Sequence, residues 1–529
     1  MYKKIRFSAL LSQASLILFV YLLHISFGYP PKLVYIFSAL AFFAFIASVS
    51  RKVYLVVILL YALAGIFYAP VGINYGFPDV NSVGSLIYTN SRESAEFFLG
   101  ISLRIYLFMA ALLGCAIIAM RLKINVRKPV RYWLFALFFI PAFWSPVKNV
   151  VKAGWNSEFS IVDSGLPEFR FFYDIAQSYN DVMASNSHFA KIIQTPDNWK
   201  PVAVSGKYDT YILVIGESVR KDFMQAYGFP YAENTPWMSR ANGTLFMDFI
   251  SAAGATQPSL TNAFTLREST KRDLNNSLIT LAKRAGFETY WLSNQGLRGK
   301  YDSPVAMIGK QAGNTVFLKE GSAEDRDYFQ DENLRPDILR LLAEPSDNRK
   351  RLIVIHLMGS HPQPCARTNN QFDKFITSEN ISCYVQSIAN TDKFLSEIAT
   401  DADKHHVNWT MIYFSDHGLR VTDNGLDTMN LVHSDEFKQN YQVPFFLTSY
   451  DATEQKTVQS RRSGLSMLPF LAQWMGISEP RLSQQCAWRD NVPCEEQSGY
   501  ISFHNKEQSY DDLPDDLPVL IPDADKTGE

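Results

Sequence analysis

The chain has 529 residues, several times what one buried core requires, so a small disulfide-stapled scaffold and a short disordered regulator are both excluded. Formal charge is −2 and mean hydropathy −0.07, ordinary values for a soluble protein. The average conceals two unlike parts. Residues 1–150 carry 14 Lys or Arg against three acids, Asp79, Glu93 and Glu96, which leaves the remaining 379 residues at −13.

The basic part reads as a membrane domain, residues 1–151. Apolar stretches at 7–27, 33–49, 53–71 and 97–120 are each close to the roughly 20 residues a helix needs to cross the hydrocarbon. A fifth, 132–151, is interrupted by Pro141 and Lys148, and the expectation is five spans. A cleaved signal peptide is the competing reading of the first, but its apolar run is long and further spans follow. Lys and Arg are retained on the cytoplasmic side. They are dense at the N-terminus (Lys3, Lys4, Arg6), at Arg51 and Lys52, and between Arg121 and Arg131, and sparse in the alternate turns, which hold Lys32 and Arg92. This alternation places the N-terminus inside and everything beyond the fifth span outside, in a bacterium the periplasm.

Four of the five cysteines, Cys365, Cys383, Cys486 and Cys494, fall in the exported part. An even count in an oxidising compartment suggests two bridges. Local pairing joins Cys365 to Cys383 and Cys486 to Cys494, one of three connectivities. No C-x-x-C spacing supports a zinc knuckle.

Residues 152–206 read as a bridge of short helices without chemistry, 207–505 as the catalytic body, and 506–529 as a solvated acidic tail. Within the body, runs at 210–215, 289–292, 352–357, 410–414 and 443–448 are apolar throughout. That pattern suits strands buried on both faces of a mainly parallel sheet covered by helices, an α/β architecture. Ligands bind such sheets at the carboxyl ends of strands. The residues there are Glu217 and Ser218 after the first run, Ser360 and His361 after the third, and Asp416 and His417 after the fourth, with His433 before the last. Two carboxylates and a histidine suit zinc, which takes O and N ligands and activates a bound nucleophile. Thr256, approached through the small residues Ala252 to Ala255, is the candidate nucleophile and fourth ligand; Ser259 and Thr261 compete with it.

The set Val214-Ile215-Gly216-Glu217-Ser218, Asn234-Thr235-Pro236, Gly254-Ala255-Thr256, Gly359-Ser360-His361 and Phe414-Ser415-Asp416-His417-Gly418, placed after five spans, resembles the bacterial phosphoethanolamine transferases with a sulfatase-like periplasmic domain. The resemblance implies that Glu217, Thr256, Asp416 and His417 ligate one tightly bound zinc. It implies that Thr256 takes phosphoethanolamine from phosphatidylethanolamine and passes it to an acceptor hydroxyl. His361 and His433 match two further histidines that bind phosphoryl oxygens, protonate the leaving group or hold a second zinc. Ser85, Thr89 and Glu93 match a donor subsite, with Ser85 in place of the family's Asn, and Arg298 and Lys300 lie in the region of substrate contacts. The segment His356 to Gln363, with Cys365 and Cys383, looks most like the branch that modifies osmoregulated periplasmic glucans; lipid A or lipopolysaccharide core is the alternative acceptor.

A sulfatase is disfavoured because threonine cannot yield formylglycine and Leu260 stands where that signature has arginine. A phosphoglycerol transferase shares the threonine and metal logic, and a non-catalytic membrane binding module is the rival outside enzymes. Neither a P-loop nor a basic aromatic patch appears, so nucleic acid is not an expected partner, and a monomer is expected. His356 reads as a buried structural histidine, His405 and His406 as solvated, and His24, His188 and His504 as lacking neighbours that suggest chemistry.

Overall fold

The computed structural model describes residues 2–88, 94, 97–98, 101–152, 164–268, 271–297, 303–320, 330–344, 349–482, 486–494, 498–503 and 505–517. Two compact units emerge, one from residues 1–87 and 97–183, the other centred on the chain from 184 onward.

The first unit is helical: α1 (Tyr2–Ser26), α2 (Leu33–Val49), α3 (Arg51–Tyr75), α4 (Val80–Tyr88), α5 (Leu103–Ala119), α6 (Lys128–Lys152) and the start of α7 (Pro167–Gln194). Among the described residues, α3 alone is long and apolar enough to cross a membrane by length and composition, with shorter apolar helices at Leu10–Ser26, Leu33–Val49 and Leu103–Ala119. Pro141 and Pro146 both lie inside α6.

The region expected to hold several short helices forms one helix of 28 residues instead, α7. Its first turns are aromatic and acidic, and they are packed: Phe171 stacks on Phe27 with ring centroids 3.8 Å apart, and Asp174 accepts from Tyr29 Oη at 2.6 Å. His24, expected to lack chemical neighbours, is buried with its Nε2 3.0 Å from Glu168 Oε1. Sequence windows do not show this pair because its members lie 144 residues apart.

The second unit is built on an eight-stranded sheet: β1 (Thr210–Gly216), β2 (Gly243–Phe246), β3 (Glu288–Leu297), β4 (Asn314–Glu320), β5 (Arg351–His356), β6 (Trp409–Ser415), β7 (Phe445–Ser449) and β8 (Gln455–Val458), in the spatial order β8-β2-β7-β6-β1-β5-β3-β4. The block β6-β1-β5-β3-β4 is parallel. The sheet as a whole is mixed, because β7 runs antiparallel to both β6 and β2. An antiparallel neighbour needs no helical crossover, and the chain between β6 and β7 is instead occupied by a small hairpin, Arg420–Thr422 with Asn430–Val432.

The central strands are apolar at every position because both faces are covered. Tyr211, Leu213 and Ile215 of β1 enter one core with Ile412 and Phe414 of β6; Ile212 and Val214 enter the other with Met411 and Tyr413. The helix α8 (Thr256–Phe264) contributes Leu260 and Phe264 to the first core. The long helix α9 (Glu379–Lys404) covers the second with Tyr384, Ile388 and Leu395. Ser378 starts α9 by accepting from Ile381 N–H at 3.1 Å, satisfying one of the donors a helix start leaves open.

The register brings the strand ends level: Gly216 pairs with Ser415, Ile215 with His356, and His356 with Ser293. Disulfides join Cys365 to Cys383 and Cys486 to Cys494. The tail expected to be solvated from residue 506 is exposed at most positions through Leu517 but is anchored at several points. Glu507–Ser509 pairs with Gly499–Ile501, and Tyr510 and Asp516 are buried. Composition gave no sign of these anchors, of which the buried Asp516 finds both a cationic and a backbone partner.

Candidate active site

The level strand ends deliver three ligand groups to one place. Glu217 follows β1, and Asp416 and His417 follow β6; all three are buried, and one ligand atom from each lies within 4.8 Å of the other two. His417 Nε2 is 3.2 Å from Glu217 Oε1 and 3.6 Å from Asp416 Oδ2. His417 Nδ1 lies 2.8 Å from the Gly418 carbonyl. A carbonyl only accepts, so Nδ1 carries a proton, and Nε2 is the nitrogen that faces the carboxylates.

Asp416 spends Oδ1 on the N–H groups of Ser218 and His417, at 3.0 and 2.8 Å. Its Oδ2 is buried without a hydrogen-bond partner. An orphaned carboxylate oxygen, a second carboxylate and an imidazole nitrogen converging on one point are the donor set a divalent cation requires. Electrostatics agree. Burial and the Glu217 charge raise the Asp416 carboxyl to about 7. Burial would lower the His417 imidazolium, but the two carboxylates outweigh it and raise it to about 9. Burial also works against Glu217, yet the hydrogen bond and charge of His417 hold its carboxyl below the usual range. Metal-free, the cluster keeps protons where a cation would replace them.

Thr256 is the first residue of α8 and is half-buried. Its hydroxyl donates to Glu217 Oε2 at 3.1 Å and lies 3.4 Å from His417 Nε2. The N–H groups at a helix start favour negative charge. Its competitors are otherwise engaged: Ser259 Oγ donates to the Asp416 carbonyl at 2.6 Å, and Thr261 is buried within α8.

His433 lies beside the cluster, its ring 4.9 Å from that of His417 and 6.1 Å from that of His361. Burial, then the neighbouring imidazoles, push it well below the usual histidine range, leaving it a neutral base. His361 follows a loop fixed from below. Asp331 accepts the N–H groups of Met358 and Gly359 at 2.8 and 2.9 Å, and the Asn294 amide at 2.8 Å. His356 is buried in β5, and burial lowers it to about 4.

Two contributors have no role in the sequence reading, Ser218, which it named, and Gln295, which it did not single out. Ser218 donates to Glu217 Oε1 at 2.7 Å; its place in the Gly216-Glu217-Ser218 motif was the available signal. Gln295, within a strand that extends past its predicted end, donates to Glu217 Oε2 at 3.3 Å and to the Leu357 carbonyl at 3.0 Å. The Asn234-Thr235-Pro236 motif is architectural: Asn234 and Thr235 accept the N–H groups of Gln225 and Ala226. Ser85 lies in α4. Thr89, Glu93, Arg298 and Lys300 lie outside the described residues.

Residues 209–477 match the sulfatase family. The chain is 35% identical over 467 residues to the phosphoethanolamine transferase OpgE of Escherichia coli, an alignment covering 87% of this chain and 88% of that protein. The chain belongs to the phosphoethanolamine transferases. The transferase shares its fold with the integral membrane lipooligosaccharide phosphoethanolamine transferase A (EptA) of Neisseria meningitidis, with a TM-score of 0.56 at 16% identity over 90% of this chain and 96% of that one. It also shares the fold of the C-terminal periplasmic domain of EptC from E. coli, solved in complex with Zn, with a TM-score of 0.50 at 22% identity over 60% of this chain and 97% of that domain.

Proposed function

We propose that this transferase moves phosphoethanolamine from phosphatidylethanolamine, through a threonine-linked intermediate on Thr256, to a hydroxyl of osmoregulated periplasmic glucans. The observation that carries the reading is the Thr256 hydroxyl, 3.1 Å from Glu217 Oε2 and 3.4 Å from His417 Nε2 at the start of α8. Glu217, Asp416, His417 and Thr256 hold one zinc, and the EptC domain solved with Zn supports that choice of metal. When bound, the ion lowers the cost of the Thr256 alkoxide and offsets charge on the phosphoryl oxygens.

The chain's own residues do the rest. Thr256 Oγ attacks phosphorus as its proton passes to an imidazole of the His361–His433 pair, and the bond from phosphorus to the diacylglycerol oxygen breaks. His361 and His433 are placed to bind phosphoryl oxygens and to hand a proton to the leaving oxygen. An acceptor hydroxyl then attacks phosphorus and gives its proton to the same histidines, the bond from phosphorus to Thr256 Oγ breaks, and that proton returns to Thr256. Ser85, Thr89 and Glu93 serve the donor head group, with the Glu93 carboxylate as the partner of the ammonium, while Arg298 and Lys300 serve donor or acceptor contacts. A second zinc at the histidines is compatible with their spacing.

The helical unit is read as five spans of the bacterial inner membrane, within residues 1–151, with the N-terminus cytoplasmic and the catalytic domain, 207–505, periplasmic. Large apolar side chains on its outside, such as Phe67, Leu103, Tyr132 and Trp133, suit lipid rather than water.

The test uses the full chain in liposomes with head-group-labelled phosphatidylethanolamine. Mass spectrometry should find phosphoethanolamine on the peptide containing Thr256, and Thr256→Ala should abolish both adduct and transfer. Full transfer by the alanine variant rejects the nucleophile. The acceptor is tested by comparing glucans and lipopolysaccharide from cells with and without the gene; gene-dependent phosphoethanolamine confined to lipopolysaccharide rejects the glucan assignment.

A further inference from the structure

The end of the chain reaches the metal-ligand loops through one buried carboxylate. Arg220, three residues beyond Glu217, is buried, and so is Asp516. Arg220 Nη1 donates to Asp516 Oδ2 at 2.7 Å and to the Leu419 carbonyl at 3.3 Å. Its Nε and Nη2 donate to the two oxygens of Asp222 at 2.9 and 2.6 Å. Asp516 Oδ2 also accepts the Val421 N–H at 2.9 Å. A single oxygen thus links the segment leaving Glu217 to the segment leaving His417.

The surroundings hold that oxygen in place. Asp516 N–H donates to Gln439 Oε1 at 2.7 Å, and Lys438 N–H donates to the Pro514 carbonyl at 3.0 Å. Gly418, next to His417, is pressed between the same parts: a Cβ there would stand 2.2 Å from the Gln439 carbonyl oxygen and 3.3 Å from Arg220 Cγ. Val421 lies in the hairpin strand Arg420–Thr422, whose partner Asn430–Val432 leads directly into His433.

We propose that Asp516 is a positioning residue of the active site, fixing through Arg220 and Val421 the spacing between Glu217 and the Asp416–His417 pair. Strand pairing sets where these ligands leave the sheet, but the segments beyond them have no shared ladder. Direct bonds join them near the ligands, from Ser218 N–H to Asp416 Oδ1 and from Arg220 to the Leu419 carbonyl; the Asp516 carboxylate adds a buried tie that holds both Arg220 and Val421, supplied from almost a hundred residues past Val421. Groups behind metal ligands set their orientation and so the affinity of the site; Asp516 touches no ligand itself and acts through the backbone segments that carry them. This inference rests on the zinc reading given above.

Holding down the tail is a separable role. Asp511, on the same segment, pairs with Arg461 at 2.6 Å and is exposed. The test uses full-length protein in detergent: wild type, Asp516→Asn, Asp511→Asn and Glu217→Gln, each titrated with zinc against a chromophoric chelator and, separately, with cobalt(II) followed by its visible absorption. Asp516→Asn should lower zinc affinity roughly 10- to 100-fold and alter the cobalt spectrum, while Asp511→Asn matches wild type in both. Wild-type zinc affinity and an unchanged cobalt spectrum in a folded Asp516→Asn protein overturn the inference.

Should that variant not fold, Asp516→Glu decides, since it keeps the charge but moves the shared oxygen by a methylene. Lowered zinc affinity then supports the inference, and wild-type affinity overturns it. If wild type takes up no zinc, or Glu217→Gln takes it up equally well, the zinc reading itself fails and the inference falls with it.

Discussion

Ser218 donates its hydroxyl to Glu217 Oε1 at 2.7 Å from a backbone with φ of +60°. Non-glycine residues rarely occupy this left-handed region, which costs them roughly 1–2 kcal/mol. The conformation has a use here: the same residue donates its N–H to Asp416 Oδ1 and accepts Tyr384 Oη at 2.7 Å through its carbonyl. One strained residue therefore touches both carboxylates of the cluster.

The consequence is a pair of variants that lose the same hydroxyl but differ in stability. Ser218→Ala keeps the strain and loses the hydroxyl; Ser218→Gly loses the hydroxyl and relieves the strain. Both should weaken zinc binding roughly 10- to 100-fold, measured by competition with a chelator. The glycine variant should melt at the higher temperature of the two.

Gly359 is the second tight contact with Glu217. Its φ is +48°, and a Cβ would stand 3.0 Å from Glu217 N and 3.2 Å from Glu217 Cβ. Those atoms belong to the backbone and stem of a buried metal-ligand residue, which have no room to retreat. Gly359→Ala should therefore destabilise the protein by about 1–3 kcal/mol, read from thermal melting. It should also reduce transfer activity, because relief of the clash displaces Glu217.

What the sequence revealed and what it hid divide along physical lines. Runs such as Thr210 to Ile215 were legible as strands because burial on both faces removes polar residues from every position. Residues after those runs were legible as site candidates because parallel strands end level, and the structure brings Glu217, Asp416, His417 and Thr256 together. Contacts between distant segments left no such trace. Gln295 sits within the bulge between Ser293 and Gly296, where an apolar run gives no warning that the strand continues. Asp516 is one acid among several in a segment whose composition suggests solvent. The antiparallel course of β7 was equally hidden, because a strand buried on both faces looks the same in either direction.

His356 sets an acid limit on stability. Its imidazole is buried in β5, with Nδ1 3.5 Å from Ser293 Oγ and Nε2 without a partner. Burial lowers it from 6.5 to about 4, so the native state binds this proton less readily than the unfolded chain. The stability that follows is fully present above pH 6.5 and is lost as pH falls toward 4. Between pH 7 and pH 5 the loss is about 2 kcal/mol. His356→Phe keeps a ring in the core and removes the titration. Its melting temperature should fall less than that of wild type between those two pH values; an equal fall would show that the proton is taken up elsewhere.

The Cys365–Cys383 disulfide ties the segment that follows His361 to the start of α9 across a separation of 18 residues. Closing a loop of that length in the unfolded chain contributes about 3 kcal/mol on the chain-entropy account. The zinc ligands lie on other segments, after β1 and β6 and at the start of α8. Replacing both cysteines with serine should lower the melting temperature by several degrees while leaving zinc affinity near that of wild type. His361 lies four residues before Cys365, so activity should fall more than metal binding does. Parallel measurement of melting, zinc titration and transfer separates the three effects, and a matching loss of zinc affinity would contradict the assignment of this loop to the histidine side of the site.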